Sequence, residues 1–146
     1  SAAMDRKAAE EGIAEMGTTL VMASIEADSV TIAHVGDSRC YVQRPGDGLI
    51  YQTEDHTVNV NGRHMLARCF FAGHPEVALP DIKSIQLQAG DRILLCSDGL
   101  YGAIGRGILP GKMMDNKPLE KILDEYDKMC ERDGNDNYSA ILIELA

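Results

Sequence analysis

Apolar positions in this chain fall into short runs of strand character over the first hundred residues and one stripe of helical period near the end, which together predict an α+β protein. Met4 to Met16 is rich in Ala, Glu and Lys, with Ile13 and Met16 one helical step apart. It predicts a surface helix stopped by Gly17. Thr18 to Ile25 is β-branched and aliphatic and reads as a strand. Glu26-Ala27-Asp28 turns it, and Val30 to Val35 returns as the second strand of an antiparallel hairpin. Gly36-Asp37-Ser38 interrupts that run and Cys40-Tyr41-Val42 resumes it. Arg44-Pro45-Gly46-Asp47-Gly48 then turns the chain into a strand over Leu49 to Thr53. Thr18 to Thr53 is thus predicted as an antiparallel meander.

Periodicity is lost from Glu54 to Pro80. This stretch reads as an irregular, functional loop region with a short helix near Gly62 to Arg68. Ile82 to Leu87 is the next strand, followed by a Gly90-Asp91 turn. Arg92 to Cys96 is a short apolar run between turn residues, the pattern of a strand buried on both faces. Beyond Leu100 the glycines Gly102, Gly105, Gly107 and Gly111 predict a flexible surface segment. Leu119, Ile122, Leu123, Tyr126, Met129 and Cys130 lie on one face of an amphipathic helix with Pro118 near its first turn. Asp133 to Asn137 ends that helix, and Tyr138 to Leu145 is predicted as a last buried strand.

Length adds one constraint: 146 residues suit a single domain with a real core, expected over residues 4–146. Ser1-Ala2-Ala3 ahead of Met4 reads as a cloning remnant outside the fold. No apolar run approaches the ~20 residues that span a bilayer, and no secretory pattern opens the chain. A net charge of −9 argues against nucleic acid or an anionic membrane as the main partner, and is compatible with cations. Cys40, Cys69, Cys96 and Cys130 form no C-x-x-C pair and lie in or beside apolar segments. They predict free thiols and a cytoplasmic protein.

The chemistry sits at strand ends. Asp37 follows the strand ending at Gly36, Asp98 follows the strand ending at Ser97, and Asp136 stands at the entry to the final strand. Each taken alone reads as a turn or cap residue. If the strands are neighbours, the three carboxylates meet at one rim and repel by several kcal/mol at an effective dielectric of about 20. Such a cluster calls for a hard cation: Mg²⁺, Mn²⁺ or Ca²⁺. An EF-hand reading of Asp133 to Glu144 fails because its sixth position is Tyr138 rather than Gly. The four histidines show no zinc spacing; His34 reads as a packed core residue and His56 as a turn hydrogen bond. No G-x-S-x-G, P-loop or dinucleotide fingerprint is present.

The order of motifs resembles a known family. Met16-Gly17-Thr18-Thr19, Val35-Gly36-Asp37-Ser38-Arg39, Asp55-His56, Gly90-Asp91 leading to Cys96-Ser97-Asp98-Gly99-Leu100, and Asp136-Asn137 occur in sequence and at suitable spacing. Together they resemble the metal-dependent Ser/Thr protein phosphatases of the PPM (type 2C) family, from about Met16 to the end. The resemblance implies Asp98 and Asp136 as ligands of a binuclear Mn²⁺/Mg²⁺ centre and Asp37 as a ligand of a third, weaker site. Gly99, Asn137, His56 and Arg39 stand in support. It implies hydrolysis of phosphoproteins by a metal-activated water without a phosphoenzyme. The implied fold is an αββα sandwich of antiparallel sheets, present here in part. Two family features are missing: an early Glu-Asp pair and the Asp-Gly-x-Gly-Gly loop whose Asp bridges the metals. The segment Glu54 to Pro80 is also shorter than the family's flap region. The expectation is therefore a C-terminal half of a phosphatase domain, feeble or inactive alone. Its bare apolar face would draw a homo-oligomer or a complementing N-terminal half. The alternative expectations are a pseudophosphatase or regulatory binding module, and a structural domain whose aspartates are turn caps.

Overall fold

A computed structural model describes residues 2–13 and 16–146. In chain order it runs through α1 (Ala2–Glu11), β1 (Gly17–Thr18), β2 (Leu20–Glu26), β3 (Ser29–Val35), β4 (Arg39–Arg44) and β5 (Gly48–Gln52). Then come β6 (Thr57–Val60), β7 (Arg63–Leu66), β8 (Phe70–Phe71), a 3₁₀ turn (Pro75–Val77), β9 (Asp81–Gln86) and β10 (Arg92–Cys96). The chain closes with α2 (Asp98–Ile104), α3 (Leu109–Lys112), α4 (Leu119–Asp133) and β11 (Ala140–Glu144).

Two antiparallel sheets form the frame, in strand orders β11-β10-β4-β5 and β2-β3-β9. Alternation along β10 shows how they stack. Leu94 and Cys96 face α2 and α4 in a cluster with Tyr41, Leu100, Ile122 and Tyr126. Ile93 faces the other way, into an inter-sheet cluster with Val30, Ile32, Cys40 and Val42. β10 is apolar on both faces because it is central: β4 lies on one side and β11 on the other. The result is an α+β architecture of sheet on sheet with helices on one outer side. The far face of the second sheet is bare, with Met22 48% and Ile82 68% exposed. β2 and β11 are edge strands.

Five expectations are corrected. Thr18 to Thr53 is not one meander: β2 and β3 pair in one sheet and β4 and β5 in the other, because β3 takes β9 and β4 takes β10 as its second neighbour. Where a helix was expected near Gly62 to Arg68, the chain forms the β6–β7 hairpin. Asn61 and Gly62 both adopt positive φ (53° and 82°), the backbone of a type I′ turn and a local signal stronger than the weak helical pattern. The glycine-rich stretch after Leu100 is not a loose surface segment. It holds α2 and α3, anchored by the buried Tyr101, Ile104, Leu109 and Met113. The final strand is an edge rather than a buried strand, and its Ile141 is 59% exposed. The first helix ends at Glu11 instead of Met16, and it takes in Ala2 and Ala3. Ser1, Ala14 and Glu15, which belonged to those expectations, lie outside the described residues. Among the described residues no helix is long and apolar enough to cross a membrane.

Candidate metal centre

Asp37, Asp98 and Asp136 line one open cleft of about 310 Å³. The sheet register brings them there. Cys96 pairs with Arg39 on one side and Ala140 on the other, so the loop before β4, the end of β10 and the entry to β11 share a rim.

Asp98 opens α2. The N-cap of α2 is Ser97, which makes no side-chain capping bond; Asp98 is the first helical residue, and its Oδ1 accepts the N–H of its neighbour Gly99 at 3.0 Å. Ser97 ties this corner to the neighbouring loop: its N–H donates to the Ser139 carbonyl (3.1 Å), and its Oγ accepts from the Ser139 N–H (3.0 Å). Gly99 is required by space. A Cβ there would lie 2.2 Å from the Asn137 carbonyl oxygen. Asp136 and Asn137 therefore sit against the first turn of α2, and Asp136 Oδ1 accepts the Asn137 N–H at 2.8 Å.

Asp37 rides on a loop held from below. Gly36 has φ +107°, and a Cβ there would lie 2.3 Å from Thr19 Cγ2, so only glycine fits. Gly36 N–H donates to His56 Nδ1 (3.1 Å) and the His56 N–H donates to the Gly36 carbonyl (3.0 Å). Tyr101 Oη donates to the Asp37 carbonyl at 3.0 Å. Burial, then the negative charge of Asp98, raises the Asp37 carboxyl above its ordinary value. Like charges are thus crowded in the cleft, which a bound cation relieves.

Arg39 and His56 do not line this cleft; they brace it. Arg39 is almost fully buried and donates to both oxygens of Asp55 (2.7 and 2.6 Å) and to Tyr41 Oη (2.9 Å). Its guanidinium also stacks 3.8 Å from the centroid of the Tyr101 ring. Tyr101 thereby links the ion pair to Asp37, and burial raises its phenol well above the ordinary range. Three side chains that line the cleft were not singled out by the sequence: Tyr101, Arg106 and His64. Only Tyr101 carried a signal, lying one helical step after Asp98.

Asp37, Asp98 and Asp136 share the lining of one cleft, but among the described residues the His/Cys/Asp/Glu group whose ligand atoms all lie within 4.8 Å of one another is His34, His56 and Asp81. Its hydrogen bonds disqualify it. His56 Nδ1 accepts from Gly36, so the proton is on Nε2, which donates to Asp81 Oδ2 at 3.1 Å. His34 Nε2 faces the Glu54 carbonyl at 2.8 Å and so carries its own proton. The buried His34 Nδ1 has no partner among the described residues and offers a single nitrogen lone pair. His56 is therefore a strut between the Asp37 loop and β9. The Asp37, Asp98 and Asp136 cleft, by contrast, is an all-oxygen donor set that suits a hard divalent ion.

The family model described as Protein phosphatase 2C matches residues 2–144, beginning ahead of the Met16 motif. The serine/threonine phosphatase stp of Listeria innocua is 31% identical over 147 residues, spanning 88% of this chain and 57% of its own length. The crystal structure of the Mycobacterium tuberculosis phosphatase PstP/Ppp superposes with a TM-score of 0.81 at 25% identity, covering 98% of this chain and 66% of that one. A catalytic domain of PstP solved with two manganese ions has a TM-score of 0.75 at 24% identity, covering 96% and 64%. The chain thus spans little more than half the length of the curated relatives it matches.

Proposed function

Because the chain belongs to the protein phosphatase 2C family, we propose that it is the metal-holding portion of a protein serine/threonine phosphatase acting on phosphoproteins. The observation that carries the reading is that Asp37, Asp98 and Asp136 line one cleft. Asp98 and Asp136 would hold Mn²⁺ or Mg²⁺, and Asp37 a further ion shared with Asp98. A complete site would take two or three ions. Such ions would offset the charge on the phosphoryl oxygens and lower the pKa of a bound water, supplying hydroxide as the nucleophile. The chain's own part is to fix the carboxylates: Ser97 and Gly99 hold the Asp98 and Asp136 loops together, and Tyr101, Arg39 and His56 hold the Asp37 loop.

The 146 residues contain no Asp-Gly-x-Gly-Gly segment, so this chain alone is proposed to be feeble or inactive. That same observation favours a second reading, a binding module that keeps the fold without the chemistry. Edge strands β2 and β11 and the exposed Leu20, Met22 and Ile82 support assembly with a second copy or with a complementing segment such as the longer relatives carry. Free cysteines, three of them buried, support a reducing, cytoplasmic setting.

Titration with Mn²⁺, followed by calorimetry, tests the reading. The chain should bind the ion, and Asp98→Asn and Asp136→Asn should each weaken it; no binding by the unaltered chain removes the metal-centre assignment. Mn²⁺-dependent hydrolysis of p-nitrophenyl phosphate should stay near the metal-only blank. Strong turnover that Asp98→Asn abolishes would show the chain to be a sufficient enzyme. Light scattering at micromolar concentration should show a dimer or larger species, and a clean monomer counts against the assembly.

A further inference from the structure

The carboxylate cleft carries one permanently cationic side chain at its rim. Arg106 lies between α2 and α3, lines the cleft, and is 61% exposed. Its guanidinium sits 5.2 Å from the centroid of the Tyr101 ring and 3.9 Å from Asp55 Oδ2. Neither neighbour depends on it. Asp55 already accepts two short bonds from Arg39, and Arg39 already covers the Tyr101 ring at 3.8 Å. Arg106 is thus a planar donor fork whose nearest carboxylate is neutralised by another guanidinium. Arg39 cannot turn toward the cleft, since its side chain is 4% exposed and its donors are bonded.

Space beside Arg106 has been left open. The α2 residues lining the cleft between Asp98 and Arg106 include Gly99, Gly102 and Ala103, and a Cβ on Gly102 would meet nothing within 4 Å. A phosphomonoester brings up to two negative charges to a rim that is already acidic. Divalent ions offset the carboxylates, and a guanidinium fork matches two phosphoryl oxygens at once.

We propose that Arg106 binds the phosphoryl oxygens of the phosphomonoester substrate, and of the phosphate product, on the rim of the carboxylate cleft. The inference rests on the metal-dependent phosphatase reading above and deepens it: this residue sets how tightly and in which orientation the phosphoryl group is held.

The test is calorimetric titration of inorganic phosphate into the whole chain saturated with Mn²⁺, preceded by titration of Mn²⁺ itself. Arg106→Ala should bind Mn²⁺ as well as the unaltered chain or better, melt at the same temperature, and bind phosphate on the order of tenfold more weakly. Arg106→Lys, which keeps the charge without the fork, should fall between the two. Unchanged phosphate affinity in Arg106→Ala overturns the assignment. So does a loss that comes with weaker Mn²⁺ binding or a lowered melting temperature, which would mark a structural role. Mn²⁺ binding without any phosphate binding by the unaltered chain overturns it while leaving the metal centre standing. Absence of Mn²⁺ binding overturns the metal centre and this assignment together.

Discussion

Gly99→Ala is the sharpest probe of how the cleft is built, because it adds one methyl group at the contact between two carboxylate-bearing segments. The new Cβ would lie 2.2 Å from the Asn137 carbonyl oxygen and 2.9 Å from its carbon. Ordinary contact is about 3.5 Å, so the Asp136–Asn137 backbone must retreat by about 1 Å or the first turn of α2 must open. Neither neighbour is a flexible side-chain tip; both atoms are backbone. Overpacking of this kind costs about 1–3 kcal/mol of stability. The same retreat carries Asp136 away from Asp98, and disturbing the support of a metal ligand lowers affinity by about 10–100-fold. Gly102→Ala supplies the control in the same helix, since its Cβ would meet nothing within 4 Å. That change should be neutral or stabilising by up to about 1 kcal/mol, as alanine is the better helix former. Thermal melting without metal and calorimetric titration with Mn²⁺ read both quantities. Gly99→Ala with unaltered melting and unaltered Mn²⁺ affinity would refute the reasoning. Equal damage from Gly102→Ala would assign the effect to α2 as a whole rather than to the contact.

Three further outcomes are expected. His56→Ala should weaken Mn²⁺ binding although His56 lies outside the cleft, because the Gly36 N–H loses its buried acceptor, at about 1–2 kcal/mol in melting; unchanged metal affinity would show that the Asp37 loop holds itself. Hydrogen bonds from Arg68 and then His56 lower the Asp81 carboxyl from 3.8 to about 2, so its stabilising contribution is present above about pH 4 and lost as pH falls toward 2. Denaturant titrations across that range should show Asp81→Asn less stable than the unaltered chain at neutral pH and equal to it near pH 2, and a gap that persists at pH 2 contradicts the linkage. Asp91 is fully buried, its two oxygens accepting from Arg44 (2.9 and 2.7 Å) and from the Gln88 N–H (2.9 Å). Asp91→Ala should therefore cost about 2–3 kcal/mol in denaturant unfolding, and a loss near zero would mean that Arg44 finds water or another acceptor at no cost.

Much of the frame was legible from local pattern. β3, β10 and α4 follow from period two, a short apolar run between turns, and period 3.6, because each side chain's burial depends on which face of its own element it occupies. Aspartates at strand ends were visible for the same reason. Asn61-Gly62 was a readable hairpin signal that lost to a weaker helical one. The glycines after Leu100 suggested flexibility, but five buried anchors from Leu100 to Met113 decide that segment, and their burial depends on the sheet beneath them. Arg106 carried no pattern at all; a lone arginine among glycines acquires meaning from Asp55, Tyr101 and the open space beside α2. Asp98 itself shows the division. By itself the chain determined that a carboxylate would follow a rigid central strand. Only the pairing of β10 with β4 and β11, contacts between residues far apart in sequence, decided that Asp37 and Asp136 would stand beside it, since which strand ends share a rim is a property of sheet order and register rather than of any local run.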